Sequence, residues 1–187
     1  LSMEYLYPPP PEKPRIKLLT MISGDDYFKK TGIDKILSSL AGEVAGRAFE
    51  RPYAVTADAT GNIYVTDTSL KKVFVFDAAE QKIRTIGDHG TGRLQSPIGV
   101  LVTPSGKLFV ADSKLKRVFV YNIDGELLYG IGGENEFNSP TGIAFDGEGG
   151  RLYVVDTNDH VVRVYTEDGS FLFAFGQRGG GDGEFNF

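Results

Sequence analysis

The sequence predicts an all-β protein built from one repeated unit of four short strands. A motif that begins at Phe49 returns at Leu94 and again at Phe137. Each copy contains four runs of β-branched and aromatic residues separated by turn residues, and no copy has the apolar periodicity of a helix. The chain has 24 glycines among 187 residues, which favours short strands joined by tight turns. It has no cysteine, which excludes disulfides, thiolate metal sites and a cysteine nucleophile.

Three kinds of marker residue recur with one period. They are a proline, an aspartate and a closing glycine, and successive copies of each are 43 to 45 residues apart. Four antiparallel strands in a period of this length form one β-propeller blade, whereas helical repeats of similar length need two or three amphipathic helices. We therefore predict a propeller domain over 49–187, with blades at 49–93, 94–136 and 137–184. The markers are Pro52, Pro97 and Pro140; Asp67, Asp112 and Asp156; and Gly87, Gly132 and Gly176.

The four strands of the first copy are expected at 53–58, 62–67, 71–77 and 82–87. The turns between strands carry a glycine after a small or polar residue, a pair that favours tight reversals with positive φ at the glycine. These pairs are Thr60-Gly61, Ser105-Gly106, Asp124-Gly125 and Asp168-Gly169.

Two further segments precede the repeats. Residues 1–15 are rich in proline and predict an extended polyproline tether. Residues 16–48 predict a strand followed by a short helix, with Asp34 as the N-cap of a helix over 35–40. The strand at 15–22 ends like the fourth strand of a blade, so we expect it to pair with strands from the C-terminal part in a complete ring. No stretch approaches the roughly 20 apolar residues that span a bilayer.

The repeat motifs resemble those of the NHL-repeat family of β-propellers. Each copy carries a Pro-x-Gly-(Val/Ile)-(Ala/Leu) run or a close variant, then Gly-(Asn/Lys)-(Ile/Leu)-(Tyr/Phe)-Val-x-Asp, then a Val-x-Val-(Phe/Tyr) strand. Family members place asparagine three residues after the aspartate, where this chain has Leu70, Leu115 and Asp159. The resemblance implies a ring of six blades, so we expect either a longer parent chain or a homodimer that closes two half-propellers. With the N-terminal segments, it also implies an exported bacterial protein on a membrane anchor.

The recurrent aspartates are candidate ligands on one face of the ring. Asp67, Asp112 and Asp156 end equivalent strands, and an arc of carboxylates could bind calcium. Each is followed by serine or threonine, which also fits a side chain that caps its own turn by accepting backbone hydrogen bonds. Because the same need recurs in every blade, we favour the turn-capping interpretation.

The two histidines are candidates for metal-dependent chemistry. His89 follows the fourth strand of the first copy, and His160 lies between the second and third strands of the third copy. Related propellers, such as amidating lyases and lactonase-type hydrolases, use histidines and metal on this face. A zinc site here needs a carboxylate such as Asp88 or Asp159 as its third ligand. We interpret both histidines as surface residues and keep the lyase or hydrolase as an alternative.

A basic cluster gives a second alternative, an RNA-binding platform. It lies on equivalent loops of the first two copies and stops in the third copy, and the chain carries a net charge of −5, which disfavours nucleic acid as a partner. Its residues are Lys71, Lys72, Lys114, Lys116 and Arg117.

These observations predict a non-enzymatic binding or scaffolding module that mediates protein–protein interaction at the cell envelope. A stiff ring would hold variable loops in place, and specificity would lie in those loops. We assign no catalytic, cofactor or metal residue; calcium and zinc are the ions that the residues could hold. We expect an extracytoplasmic location and leave the cytoplasm open. The candidate ligand-face residues are Asp67, Lys71, Lys72, His89, Asp112, Lys116, Arg117, Asp156, Asp159 and His160.

Overall fold

A computed structural model describes two compact units of the chain, 1–49 and 50–187. In the first unit it describes only Leu6–Tyr7, Lys13, Ile16–Lys17, Ile22 and Phe49, and in the second it describes 50–186. All regular elements in these residues are β-strands. In the described part of the chain, no helix is long and apolar enough to cross a membrane.

The first unit contains a two-stranded antiparallel sheet. Strand β1 (Leu6–Tyr7) pairs with β2 (Ile16–Lys17), with Leu6 opposite Lys17 and Tyr7 opposite Ile16. A strand is therefore present within 15–22, and its partner among the described residues is β1. The pairing expected for a complete ring stays a prediction. Most of the predicted tether, and the helix over 35–40 with its cap Asp34, lie outside the described residues.

The second unit contains three four-stranded antiparallel sheets, as predicted. Each is a meander in which strands follow one another in chain order. Blade 1 is β3 (Pro52–Ala57), β4 (Ile63–Asp67), β5 (Lys72–Asp77) and β6 (Lys82–Ile86). Blade 2 is β7 (Pro97–Val102), β8 (Lys107–Asp112), β9 (Arg117–Asn122) and β10 (Leu127–Ile131). Blade 3 is β11 (Pro140–Asp146), β12 (Arg151–Asp156), β13 (Val161–Thr166) and β14 (Phe171–Phe175).

The strand ends of blade 1 fall within one residue of their predicted positions. All four glycine turns have the expected left-handed backbone, with φ between 81° and 97° at the glycine. Glycine adopts this conformation without the Cβ clash that other residues meet. The turn chemistry in the sequence therefore predicts the strand boundaries.

The first strands of the three blades lie side by side. Strand β7 contacts both β3 and β11, which places these three strands toward the common axis of the sheets. Each begins at its proline, directly opposite the aspartate that ends the next strand. In every blade the register then shifts before pairing resumes, so the same irregularity is repeated three times.

The front faces of blades 1 and 2 pack on the following blade, and the back faces of blades 2 and 3 pack on the preceding one. The front of blade 1 presents Tyr64 and Val75 in one cross-strand row. These residues share a buried cluster with Val110 and Phe119 on the back of blade 2. The next junction repeats this arrangement, with Phe109 and Val120 packed against Val154 and their neighbours. Burial of these rows holds the blades together.

Polar contacts reinforce both junctions at the outer strands. The Arg84 guanidinium on β6 donates to the Ile123 carbonyl of blade 2. At the equivalent position of β10, the Tyr129 hydroxyl donates to the Glu167 carbonyl of blade 3. Different side chains therefore bond to the equivalent carbonyl of the following blade at the two junctions.

Asp58 organises the turn between β3 and β4. Its Oδ1 accepts from the backbone amides of Thr60 and Asn62 at 2.9 and 3.0 Å. Its Oδ2 accepts from the side-chain Nδ2 of Asn62 at 2.8 Å and from the Tyr64 hydroxyl at 3.0 Å. Burial acts to raise the pKa of Asp58, but these hydrogen bonds outweigh it and lower the pKa to about 2. Burial and the hydrogen bond to Asp58 raise the pKa of Tyr64 to about 12.

We expect Asp58→Asn to remove part of the acid sensitivity of the fold. A carboxyl whose pKa falls from 3.8 to about 2 on folding stabilises the folded state above pH 3.8, and this contribution is lost as the pH falls toward 2. The unfolding free energy of the wild type should therefore fall more steeply between pH 4 and pH 2 than that of Asp58→Asn. Urea unfolding followed by circular dichroism at several pH values measures both; parallel curves would contradict the assignment.

Candidate functional site

The predicted ligand face lies at one end of the blades. Because strands alternate in direction, the β4–β5, β8–β9 and β12–β13 turns emerge at the same end as the linkers that leave β6, β10 and β14. The loop face, as we call this surface, carries the turns 67–72, 112–117 and 156–161 and those linkers. All ten candidate residues lie in these turns and linkers.

Asp67 lies at the base of the loop face and is fully buried. Its Oδ2 accepts from the amides of Glu50 and Arg51 at 2.8 and 3.0 Å, and its Oδ1 accepts from the Leu70 amide at 2.9 Å. The carboxylate therefore joins the segment before β3 to the turn after β4. Burial of a carboxylate is tolerated here because backbone donors replace its water.

Asp112 and Asp156 repeat this arrangement. Asp112 is fully buried and accepts four backbone amides, from Gln95 and Ser96 at 2.6 and 3.0 Å and from Lys114 and Leu115 at 3.1 and 2.9 Å. Asp156 is also fully buried and accepts the amides of Asn138 and Ser139, each at 2.8 Å. Amides of the following turn bond to the carboxylate in blades 1 and 2, as the turn-capping interpretation expects, whereas the backbone donors to Asp156 belong to the segment before β11. These carboxylates lie beneath the loop face, and their oxygens accept hydrogen bonds from backbone amides.

The residue four positions after each aspartate has a left-handed backbone. Lys71, Lys116 and His160 have φ values of 57°, 55° and 57°. Side chains with a Cβ pay roughly 1 kcal/mol for this conformation. In blades 1 and 2 the buried aspartate accepts amides of the same turn, which holds this backbone in place. The three blades thus present different side chains from the same rigid backbone position.

The exposed side chains of the first two turns are basic. Lys71 is exposed in blade 1, and Lys114, Lys116 and Arg117 are exposed in blade 2. Lys72 is partly covered: its Nζ lies 5.6 Å from the centre of the Phe74 ring and 3.9 Å from Asp88 Oδ2. This part of the loop face is therefore a basic surface on a fixed scaffold.

Blade 3 breaks the basic pattern with an ion pair. Asp159 accepts from Arg163 Nη2 at 2.8 Å and from Asn138 Nδ2 at 3.1 Å. Arg163 Nε also lies 3.6 Å from the buried Asp156 carboxylate, and its guanidinium lies 5.9 Å from the centre of the Phe137 ring. Arg163 was missed by the sequence analysis, although its spacing of four residues from Asp159 was a usable signal.

The linker after β6 contains a hydrogen-bonded group around Asp88. Its Oδ2 accepts from the Thr85 hydroxyl at 2.6 Å, and its Oδ1 lies 2.5 Å from His89 Nδ1. Burial acts to raise the pKa of Asp88, but hydrogen bonds from Thr85 and His89 and the charge of Lys72 lower it below its ordinary value. The His89 side chain is 88% exposed, so it extends into solvent from an otherwise fixed linker.

Comparison with known families gives one match. The NHL repeat model matches residues 137–165, which span β11 and β12 and most of β13. Three sheets share this architecture and its marker residues, and solved propeller proteins superimpose on them. The described sheets are blades of an NHL-type β-propeller. No curated protein matches the chain.

Solved structures similar to the NHL-type propeller include two lyases and a synthase. A catalytically inactive virginiamycin B lyase from Staphylococcus aureus with quinupristin has a TM-score of 0.59 at 16% identity, covering 71% of this chain and 43% of that chain. Hydrazine synthase of Kuenenia stuttgartiensis has a TM-score of 0.57 at 18% identity, covering 72% and 39%. A streptogramin B lyase structure has a TM-score of 0.56 at 14% identity, covering 66% and 40%. These likenesses concern the fold, and the chain spans about two fifths of each neighbour.

The NHL-type propeller places the two histidines in different blades. His89 lies in the linker after blade 1, whereas His160 lies in the second turn of blade 3 and is partly buried. Among residues 49–186, no group of three or more histidine, aspartate or glutamate side chains could hold a metal ion. In this part of the chain Asp88 contacts His89, but the two histidines and a carboxylate do not form one group of three. The recurrent aspartates, which were the candidate calcium ligands, accept backbone amides instead.

Proposed function

We propose that this propeller is a non-enzymatic binding and scaffolding module that holds a protein partner on its loop face at the cell envelope. One observation carries the proposal. The buried carboxylates that recur in every blade accept hydrogen bonds from backbone amides, while the exposed side chains of the loop face differ between blades. A rigid base with variable tips suits recognition, because little conformational entropy is lost when the partner binds.

The charge of the loop face indicates the chemistry of the partner. Blades 1 and 2 present exposed lysines and an arginine, and blade 3 presents the Asp159–Arg163 pair. We infer that an acidic segment of the partner lies across blades 1 and 2. Such complementarity would speed encounter and set the orientation of the complex more than its affinity.

A charge reversal tests the loop face directly. Proteins cross-linked to the wild type in intact cells would be compared with those cross-linked to a Lys116→Glu/Arg117→Glu double variant. Lys82→Glu is the matched control, because Lys82 is exposed at the opposite end of blade 1. We expect a partner that is lost in the double variant and kept in the control. Identical partners in all three proteins would contradict the proposal, and fractionation of the same cells tests the envelope location.

Two further measurements address the alternatives. The similarity to virginiamycin B lyase makes quinupristin a suitable probe; we expect mass spectrometry to find it unchanged after incubation with the protein and divalent cations. Cleavage that His89→Ala or His160→Ala abolishes would contradict the binding proposal and support a lyase.

Homopolymeric RNA tests the second alternative, since binding through phosphates weakens steeply as salt rises. We expect no such salt-dependent binding.

A further inference from the structure

The three linkers of the loop face end with a similar motif but differ in one charge. They are linker 1 (87–94), linker 2 (132–137) and linker 3 (176–185). Each runs from the closing glycine of a blade to an apolar residue that packs back on that glycine. A charged residue precedes the apolar one, and a glycine lies three residues before the charge. These pairs are Gly90 and Arg93, Gly133 and Glu136, and Gly181 and Glu184.

In linkers 2 and 3 the glutamate closes its own linker. Glu136 Oε2 accepts the Gly133 amide at 2.8 Å. The same bond joins Glu184 Oε2 to the Gly181 amide, also at 2.8 Å. Glu136 Oε1 also accepts the Tyr165 hydroxyl at 2.8 Å, which fixes this carboxylate against blade 3. Because an ionised carboxylate forms strong hydrogen bonds with backbone N–H groups, both linkers satisfy the glycine amide internally.

Linker 1 has an arginine in place of this glutamate. Arg93 is exposed, and among residues 50–186 no carboxylate forms an ion pair with its guanidinium. The acidic residue of this linker, Asp88, is already hydrogen-bonded to two neighbouring side chains. Gly90 is exposed, and apart from its chain neighbours no heavy atom would lie within 4 Å of an added Cβ. Linker 1 therefore combines an accessible glycine amide with an exposed cation.

Arg93 also extends the basic surface of blade 2. Asp112 accepts the amides of Gln95 and Ser96, which lie two and three residues after Arg93. The same carboxylate accepts two amides of the turn 112–117, which exposes lysines and an arginine. One buried aspartate thus ties the end of linker 1 to the basic turn of the next blade.

We propose that linker 1 is a subsite for a carboxylate of the partner, from an aspartate or glutamate side chain. This carboxylate accepts the Gly90 amide, as the glutamates of linkers 2 and 3 do in their own linkers, and pairs with Arg93. Arginine suits this role because its planar guanidinium can bind a carboxylate through two hydrogen bonds. The inference rests on the proposed function, since it names an anchor for the acidic segment that we place across blades 1 and 2.

Binding of an acidic peptide tests the subsite. Fluorescein-labelled hexaglutamate would be titrated with the purified chain at about 0.1 M salt and followed by fluorescence anisotropy, with hexaglutamine as the uncharged comparison. Arg93→Glu introduces the glutamate of the other linkers and should weaken hexaglutamate binding about tenfold. Arg151→Glu is the matched control, because Arg151 is exposed at the opposite end of blade 3 and changes the net charge equally. It should bind as the wild type does.

The Gly90 amide gives a second measurement by nuclear magnetic resonance. Its signal should shift when hexaglutamate is added to the wild type and stay in place with hexaglutamine. Both arginine variants should keep the circular dichroism of the wild type. The subsite would be overturned if hexaglutamate failed to bind the wild type, or if the two variants bound it equally well.

Cross-linking in cells separates this inference from the proposed function. A partner that is lost in Lys116→Glu/Arg117→Glu and in Arg93→Glu supports both. A partner that is lost in the double variant but kept in Arg93→Glu would overturn the subsite alone. A partner that is kept in both proteins would contradict the proposed function and the subsite together.

Discussion

Asp112→Ala should lower the free energy of unfolding by about 3 kcal/mol, since it removes the acceptor of several backbone amides at once. Asp112 is fully buried and accepts four amide hydrogens, two from the segment before β7 and two from the turn after β8. Water can reach the exposed Lys114 and Leu115 after the substitution, but Gln95 and Ser96 are half-buried. Part of the loss therefore comes from donors left without an acceptor.

Urea unfolding followed by far-ultraviolet circular dichroism measures this loss. Asp112→Asn keeps one acceptor oxygen and should fall between the wild type and the alanine variant. Asp124→Ala is the control, because Asp124 lies in an exposed turn of the same blade; its effect should stay within about 0.5 kcal/mol. If Asp112→Ala were as stable as this control, the carboxylates would not support the turns, and a role in ligand binding would become the better explanation of their recurrence.

Gly99→Ala should destabilise the junction between blades 2 and 3 by about 2–3 kcal/mol. The added methyl group would lie 2.1 Å from the Thr141 carbonyl oxygen and 3.1 Å from Ile143 Cγ1. The nearer atom belongs to the backbone of β11, so relief requires the two inner strands to separate rather than a side chain to turn. Separation would also loosen the buried cluster around Phe109.

Gly142→Ala provides a matched control in blade 3. An added Cβ there would meet Val155 Cγ2 at 3.3 Å, a side-chain contact that a small shift relieves. The unfolding free energy should change by less than about 0.5 kcal/mol. Hydrogen exchange locates the effect: amides of β7 and β11 should exchange faster in Gly99→Ala than in the wild type. Equal stability of the two variants would show that the inner strands are not held at close approach.

Much of the fold is predictable because each blade is encoded locally. Alternating apolar residues and glycine turns specify the four strands, and in blades 1 and 2 the recurrent aspartates cap the turns that follow them. The confirmed backbone at Gly61 and its equivalents follows from this turn chemistry. The N-terminal strand is less predictable, since Ile16–Lys17 pairs with Leu6–Tyr7 and a short strand carries little information about its partner.

The candidate site is predictable as a surface but not as a set of contacts. Equivalent loop positions follow from the period alone, so the sequence predicts which loops form the loop face. Burial of Asp67, the pairing of Asp159 with Arg163, and the hydrogen bonds around Asp88 depend on atoms from separate strands and linkers. A sequence shows which carboxylates recur, but not whether backbone amides or water molecules donate hydrogen bonds to them.

The sequence by itself determined the blade, its period and the chemistry of its turns, because these depend on residues within a few positions of one another. The tertiary structure decided which residues are exposed at the junctions. Ala54, Gly99 and Gly142 occupy equivalent positions in the three repeats. Gly99 closely approaches the backbone of β11 in the next blade, whereas Gly142 is exposed. Packing between blades is set by distances between strands far apart in the chain, and only the folded protein brings them together.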